Sequence, residues 1–149
     1  MCPVRRSNIC AIQFVAKKTI ADSSALVALL ARDDQHHRWL DAHLDALPGP
    51  WFTCEAALSE AFYLLGVPGA RQLREILRRG ALLLRFDLGP ELQSVLTLMD
   101  KYADVPMSLA DACLVRMTEI FPDPIVLTTD SDFRIYRRHG RQIVPALLP

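Results

Sequence analysis

From Thr19 to the C-terminus, short apolar runs alternate with segments long enough to be helices, and that alternation restricts the chain to few folds. Thr19 to Ala21, Trp51 with Phe52, Ala81 to Phe86, Ile125 to Thr128, and Ile143 with Val144 read as strands, the third of them as a buried one. Between them, a helix runs from Ala25 to Ala31 behind a Ser23 or Ser24 cap, and a second opens at Asp33 or Asp34 and is stopped by Pro48-Gly49-Pro50. Further helices span Cys54 to Leu65 behind Thr53, Pro68 to Arg79, Pro90 to Tyr102, Pro106 to Phe121, and Ser131 to His139 with Gly140 as its cap. Strands joined through helices must lie parallel, because parallel neighbours need a crossover, and the crossovers then cover both faces. The expected fold is α/β, a three-layer α/β/α sandwich around a central, mainly parallel sheet.

A chain of 149 residues suits one domain with one core. That domain is expected over 18–149, with 1–17 an N-terminal extension of different character. There Arg5 and Arg6 precede the apolar Ile9 to Ala16, but Gln13 interrupts the run, and Lys17 and Lys18 follow in place of a small-residue cleavage site. No run approaches the ~18 apolar residues that a membrane span requires, so a cytoplasmic protein with no membrane partner is expected. Cys2, Cys10, Cys54 and Cys113 contain no CxxC pair and read as reduced thiols, and no histidine has metal-ligand spacing. Seventeen basic residues balance seventeen acidic ones, so binding to nucleic acid would need a local basic patch or a metal ion, not a global field.

Four carboxylates stand out by position. Asp22 and Asp130 each follow a strand closely, which puts them at the carboxyl edge of a parallel sheet, where ligands bind. Glu60, near Ala57, Ala61 and Leu64, borders the apolar face of its helix, and Asp111 lies between Ala110 and Ala112 with Leu114 and Val115 on the same face. If these groups converge, each pair about 5 Å apart repels by about 3 kcal/mol at an effective dielectric near 20, so the cluster needs a cation. There is no lysine after Lys101, and no arginine at helical spacing plainly neutralises Asp22 or Asp111. Oxygen-only ligands select magnesium or manganese over zinc, and such an ion suits phosphodiester hydrolysis. Ser23, Ser24 and Thr128 are nearby hydroxyls with a secondary, orienting role.

The segments Asp22-Ser23-Ser24-Ala25-Leu26, Ser59-Glu60-Ala61-Phe62-Tyr63-Leu64-Leu65, Leu109-Ala110-Asp111-Ala112 and Thr128-Thr129-Asp130-Ser131-Asp132-Phe133 resemble, in that order, the successive motifs of PIN domains. The likeness runs from about Thr19 to the end and is closest to the VapC-type toxins of bacterial toxin–antitoxin pairs. It implies a PIN-like fold and a Mg2+-dependent endoribonuclease, with Mn2+ as a substitute, acting on RNA, restrained by a cognate VapB-type antitoxin and commonly a homodimer. It also implies that Asp22 and Asp111 are the principal metal ligands, with Glu60 and Asp130 completing the pocket; Asp104 and Asp132 match more loosely.

Two arginine groups, Arg71 with Arg74, Arg78 and Arg79, and Arg134 with Arg137, Arg138 and Arg141, read mainly as solvated faces; the second, beside Asp130, is the better candidate for holding RNA phosphates. The stripe Trp39, Leu40, Leu44 and Leu47 suits core packing more than an antitoxin helix. A receiver-type phospho-acceptor domain would need a lysine near its last strands, and an aspartate phosphatase a second aspartate where Ser24 stands. No GxGxxG, P-loop or GxSxG occurs. The rival is a catalytically inactive PIN-like module that binds RNA or a partner, which the loss of one acid would favour; all four are present.

Overall fold

The computed structural model describes residues 17–149, so the extension expected at 1–17, Lys17 apart, lies outside the described residues. Five strands, β1 (Lys18–Ala21), β2 (Trp51–Thr53), β3 (Leu82–Leu84), β4 (Pro124–Leu127) and β7 (Ala146–Leu147), form one parallel sheet in the order β3-β2-β1-β4-β7. The expected three-layer sandwich is what forms. Strand β1 sits at its centre, paired with β4 from Lys18↔Pro124 to Ala21↔Leu127 and with β2 through Ile20↔Phe52.

Side chains alternate across a strand, so each face of the sheet collects its own core. Ile20 and Val126 pack with Leu114, Val115 and Val95, beneath α4 (Leu88–Lys101) and α5 (Leu109–Ile120). Ala21 and Leu127 pack the other way, with Leu26, Leu40, Ala61 and Leu73 of α1 (Ser23–Leu30), α2 (His37–His43) and α3 (Glu55–Arg78). Leu40 and Leu47 are buried there, with Trp39 and Leu44 partly buried against them, so this stripe, which runs past the end of α2, serves the core. Within α3, Gly66 has φ 60° and ψ −165°, a conformation only glycine adopts readily, and it breaks the helix where a break was expected.

Local chemistry shifts several boundaries. Cys54, not Thr53, caps α3, because Thr53 is still in β2 and its hydroxyl donates to the Ala21 carbonyl at 2.9 Å. Helix α5 starts at Leu109 instead of Pro106, since Ser108 supplies a reciprocal capping box with Asp111. Leu84 of β3 is exposed because β3 is an edge strand, not the buried strand its apolar sequence suggests.

The helix expected over Ser131 to His139 does not form. The Asp130 carboxylate accepts the Asp132 N–H at 2.9 Å and starts a short 3-10 turn, Ser131–Arg134. His139 (φ 46°) and Gly140 (φ 79°) then turn the chain back, so that β5 (Arg137–Arg138) pairs antiparallel with β6 (Gln142–Ile143). Ile143 therefore belongs to this hairpin, and the last strand of the main sheet is Ala146–Leu147. Among the described residues, no helix is long and apolar enough to cross a membrane.

Candidate active site

The carboxyl ends of β1 and β4, the two central neighbours, deliver Asp22 and Thr128 to one place. Asp22 follows β1 directly and is the N-cap of α1, the role expected of Ser23 or Ser24. Its Oδ1 accepts the Ser23 N–H at 2.6 Å. Its Oδ2 accepts the hydroxyls of Ser24 and Thr128, each at 2.7 Å. Those hydroxyls are themselves polarised: Ser24 Oγ accepts the Thr129 N–H at 2.9 Å, and Thr128 Oγ1 accepts the Asp130 N–H at 3.0 Å. A carboxylate so supplied is held in one orientation, although it is only 3% exposed.

Glu60 reaches the site through a shared hydroxyl. Ser23 Oγ donates to Glu60 Oε2 at 3.0 Å and lies 3.3 Å from Asp22 Oδ1, so its single proton serves the glutamate or the aspartate. Asp130 is joined to Asp22 through Thr128, and it is half-buried, as is Glu60. Thr128, ranked second from the sequence, is fully buried and is the link between the two aspartates.

Asp111 comes from the opposite layer, on the first turn of α5. Its Oδ2 accepts the Ser108 N–H at 2.9 Å and the Tyr136 hydroxyl at 3.4 Å. Burial pushes its pKa up to about 6, and the negative charges of Asp22 and Asp130 push the same way against the Ser108 hydrogen bonds. The charges of Asp22 and Asp130 thus both act on Asp111. Tyr136 is held above its ordinary value by burial first, then by Asp111, Asp132 and Asp130. Ser108 and Tyr136 were not anticipated: the Ser-x-x-Asp spacing announces the first, whereas the second depends on a hairpin that the sequence read as helix.

None of the ion pairs among the described residues, Arg78–Glu75, Arg116–Glu91 and Arg116–Glu119, involves these four acids. Nor, among the described residues, do three His, Cys, Asp or Glu side chains converge closely enough to ligate one ion together. The arginines near Asp130 are partly committed elsewhere: Arg137 donates to the carbonyls of Arg134, Ile135 and Tyr136, and Arg138 to that of Thr118. Asp104 is exposed on a turn, and Asp132 contributes its N–H to Asp130. Hydroxyls and negative charge thus link Asp22, Asp130, Glu60 and Asp111 in the neighbourhood of the carboxyl ends of β1 and β4.

The family model described as PIN domain matches residues 19–138, the span that contains all four acids. No curated protein matches the chain.

Proposed function

The chain belongs to the PIN-domain family, a family broadly associated with metal-dependent nuclease activity, and from that premise we propose that it is a Mg2+-dependent endoribonuclease. The observation that carries this reading is a buried Asp111 that feels the negative charge of the buried Asp22, with no ion pair to either among the described residues. Magnesium is commonly held by one or two carboxylates, with water and substrate phosphate completing its shell, so a two-aspartate donor set fits it without a third converging acid. Mn2+ fits the same oxygen donors.

An ion held by Asp22 and Asp111 would supply charge neutralisation at the phosphodiester and a lower pKa for attacking water. The protein's own part is positional. Ser24 and Thr128 fix the Asp22 carboxylate, and Ser108 with Tyr136 fixes that of Asp111. Glu60 and Asp130, half-buried and tied to Asp22 through Ser23 and Thr128, would orient water and receive its proton; the hydrogen bonds to Ser23 and Thr128 support that role. We further assign the chain to the toxin side of a VapBC-type pair, dimeric and restrained by a VapB-type antitoxin, on the strength of the motif order.

A second reading, a catalytically inactive PIN-like RNA-binding or partner-binding module, is favoured by the lack of three converging acids among the described residues. The two separate in one experiment. Purified protein is incubated with total cellular RNA under Mg2+, Mn2+ and chelator, beside Asp22→Ala and Asp111→Ala. The nuclease reading expects discrete fragments that need metal and are lost in both variants; RNA binding by folded protein with no cutting under any metal would establish the module instead.

A further inference from the structure

We propose that the amino edge of the sheet carries a binding site for a small phosphate monoester, held by Lys17, Arg138 and His139. A cleft of about 350 Å³ opens there, between the start of β4 and the last turn of α5, and these three residues line it together with Phe121, Pro122 and Pro145. Ligand clefts begin at about 300 Å³, so the space suits a small molecule. Strands β1 and β4 start together at this edge, whereas Asp22 follows the other end of β1. The site is therefore separate from the acids, and it does not rest on the nuclease reading.

Arg138 is half-buried, and among the described residues it makes no ion pair. Its Nη1 donates to the Thr118 carbonyl at 2.9 Å, and its buried Nε has no partner among the described residues. Residues 1–16 contain no Asp or Glu, so no carboxylate comes from there. A cation partly withdrawn from water and offset only by a neutral carbonyl favours an anion beside it. Lys17 adds a second, exposed charge with no ion pair among the described residues, and the His139 ring adds an N–H donor. Glu119 also lines the cleft, but its Oε2 accepts from Arg116 at 2.7 Å and its Oε1 accepts the His139 N–H at 2.6 Å. The opposing group is Asp123, an exposed lining carboxylate with no ion pair among the described residues.

The cleft is also held in shape. Asp123 (φ 48°) and His139 (φ 46°) are the two non-glycine residues with positive φ among the described residues, and both line it. Such backbone persists only where its surroundings fix it. Pro122 and Pro124 flank Asp123, and the hairpin tip is fastened by the His139 N–H to Glu119 and by Lys101 Nζ to the Gly140 carbonyl at 2.7 Å. Little needs ordering when a ligand enters, which favours binding. A phosphate can accept from guanidinium and ammonium through several oxygens at once, and Phe121, Pro122 and Pro145 offer the organic part of an ester an apolar wall.

The test titrates the full chain, free of divalent ions and at low ionic strength, with inorganic phosphate, adenosine monophosphate and adenosine, followed by amide NMR shifts. Without a divalent ion, phosphate has no cation to bridge it to the acids at the carboxyl edge. The expected result is saturable shifts at Lys17, Asp123, Arg138 and His139 with phosphate, tighter binding of the monophosphate, and none of adenosine. Arg138→Gln should weaken the monophosphate at least about 10-fold, and Lys17→Gln, exposed and free of any folding role, about 2-fold to 5-fold. Asp123→Asn keeps a turn that asparagine also tolerates and removes the opposing charge, so it should tighten binding about 2-fold to 5-fold. Absence of saturable binding, adenosine binding as well as its monophosphate, shifts confined to the residues around Asp22, or weaker binding by Asp123→Asn would overturn the proposal. Tighter binding of an oligoribonucleotide bearing a 5′-phosphate than of the free monophosphate would overturn the assignment to a small ester.

Discussion

Helix α5 carries two charged groups little more than a turn apart, and the fold treats them in opposite ways. Arg116 donates to Glu91 at 2.6 Å and to Glu119 at 2.7 Å; Glu119 first and Glu91 next hold its pKa above the ordinary value. Among the described residues Asp111 has neutral donors only, and the nearby charges of Asp22 and Asp130 have its own sign. Where α5 needs fastening to α4, the protein supplies its own cation between two acids. At the carboxyl edge of the sheet, no ion pair among the described residues reaches Asp22 or Asp111. The contrast separates a charge cluster that is paired from one that is not among the described residues.

The largest expected effect tests the second cluster. Asp22→Ala should lower metal-dependent RNA cleavage by at least about 100-fold while the fold survives, because it removes a principal ligand and the group that Ser24 and Thr128 orient. Cleavage at more than a tenth of the wild-type rate would break the comparison at its functional end. Thr128→Val is next: it strips a donor from Asp22 and leaves the Asp130 N–H without its acceptor, at about 1–3 kcal/mol by denaturant unfolding. Arg116→Ala should cost about 1–2 kcal/mol by leaving Glu91 and Glu119 facing each other, yet leave cleavage per folded molecule unchanged. A matching loss of cleavage would show that the two ends of α5 are not separate.

Tyr136→Phe sharpens the comparison with a small effect. The hydroxyl lies 3.4 Å from Asp111, a long bond, so its loss should cost under about 1 kcal/mol. The cost should be present above pH 6, where Asp111 is ionised, and vanish near pH 4, where it is protonated in the fold. An equal cost at both pH values would assign the hydroxyl a purely packing role.

Much of this was legible before any coordinates. The apolar runs around Thr19, Trp51, Leu82 and Ile125 specify strands, and the helices between them force parallel pairing, so Asp22 and Asp130 fall at one edge by topology alone. The turn chemistry was less legible. Ser131 to His139 has helical composition, but Asp130 captures the Asp132 N–H and His139 with Gly140 reverses the chain, which placed Tyr136 beyond prediction. Ser108 is readable from its spacing to Asp111, but Pro106 offers the same helix an earlier start.

The negative field at Asp111, and the proposed binding of a cation there, are both read out by the pH dependence of unfolding for wild type and Asp111→Asn, with and without Mg2+. With a folded value raised from 3.8 to about 6, Asp111 keeps its proton in the fold while the unfolded chain releases it, so stability falls as pH rises through that window. Two units correspond to about 3 kcal/mol, or about 1–2 after solvent screening. Asparagine still accepts from Ser108 and Tyr136 and carries no charge. The account predicts that Asp111→Asn is the more stable protein at pH 8 without metal, by about 1–2 kcal/mol, that the difference disappears near pH 4, and that Mg2+ stabilises the wild type but not the variant. A variant less stable than wild type at pH 8, or equal stabilisation of both by Mg2+, would contradict it.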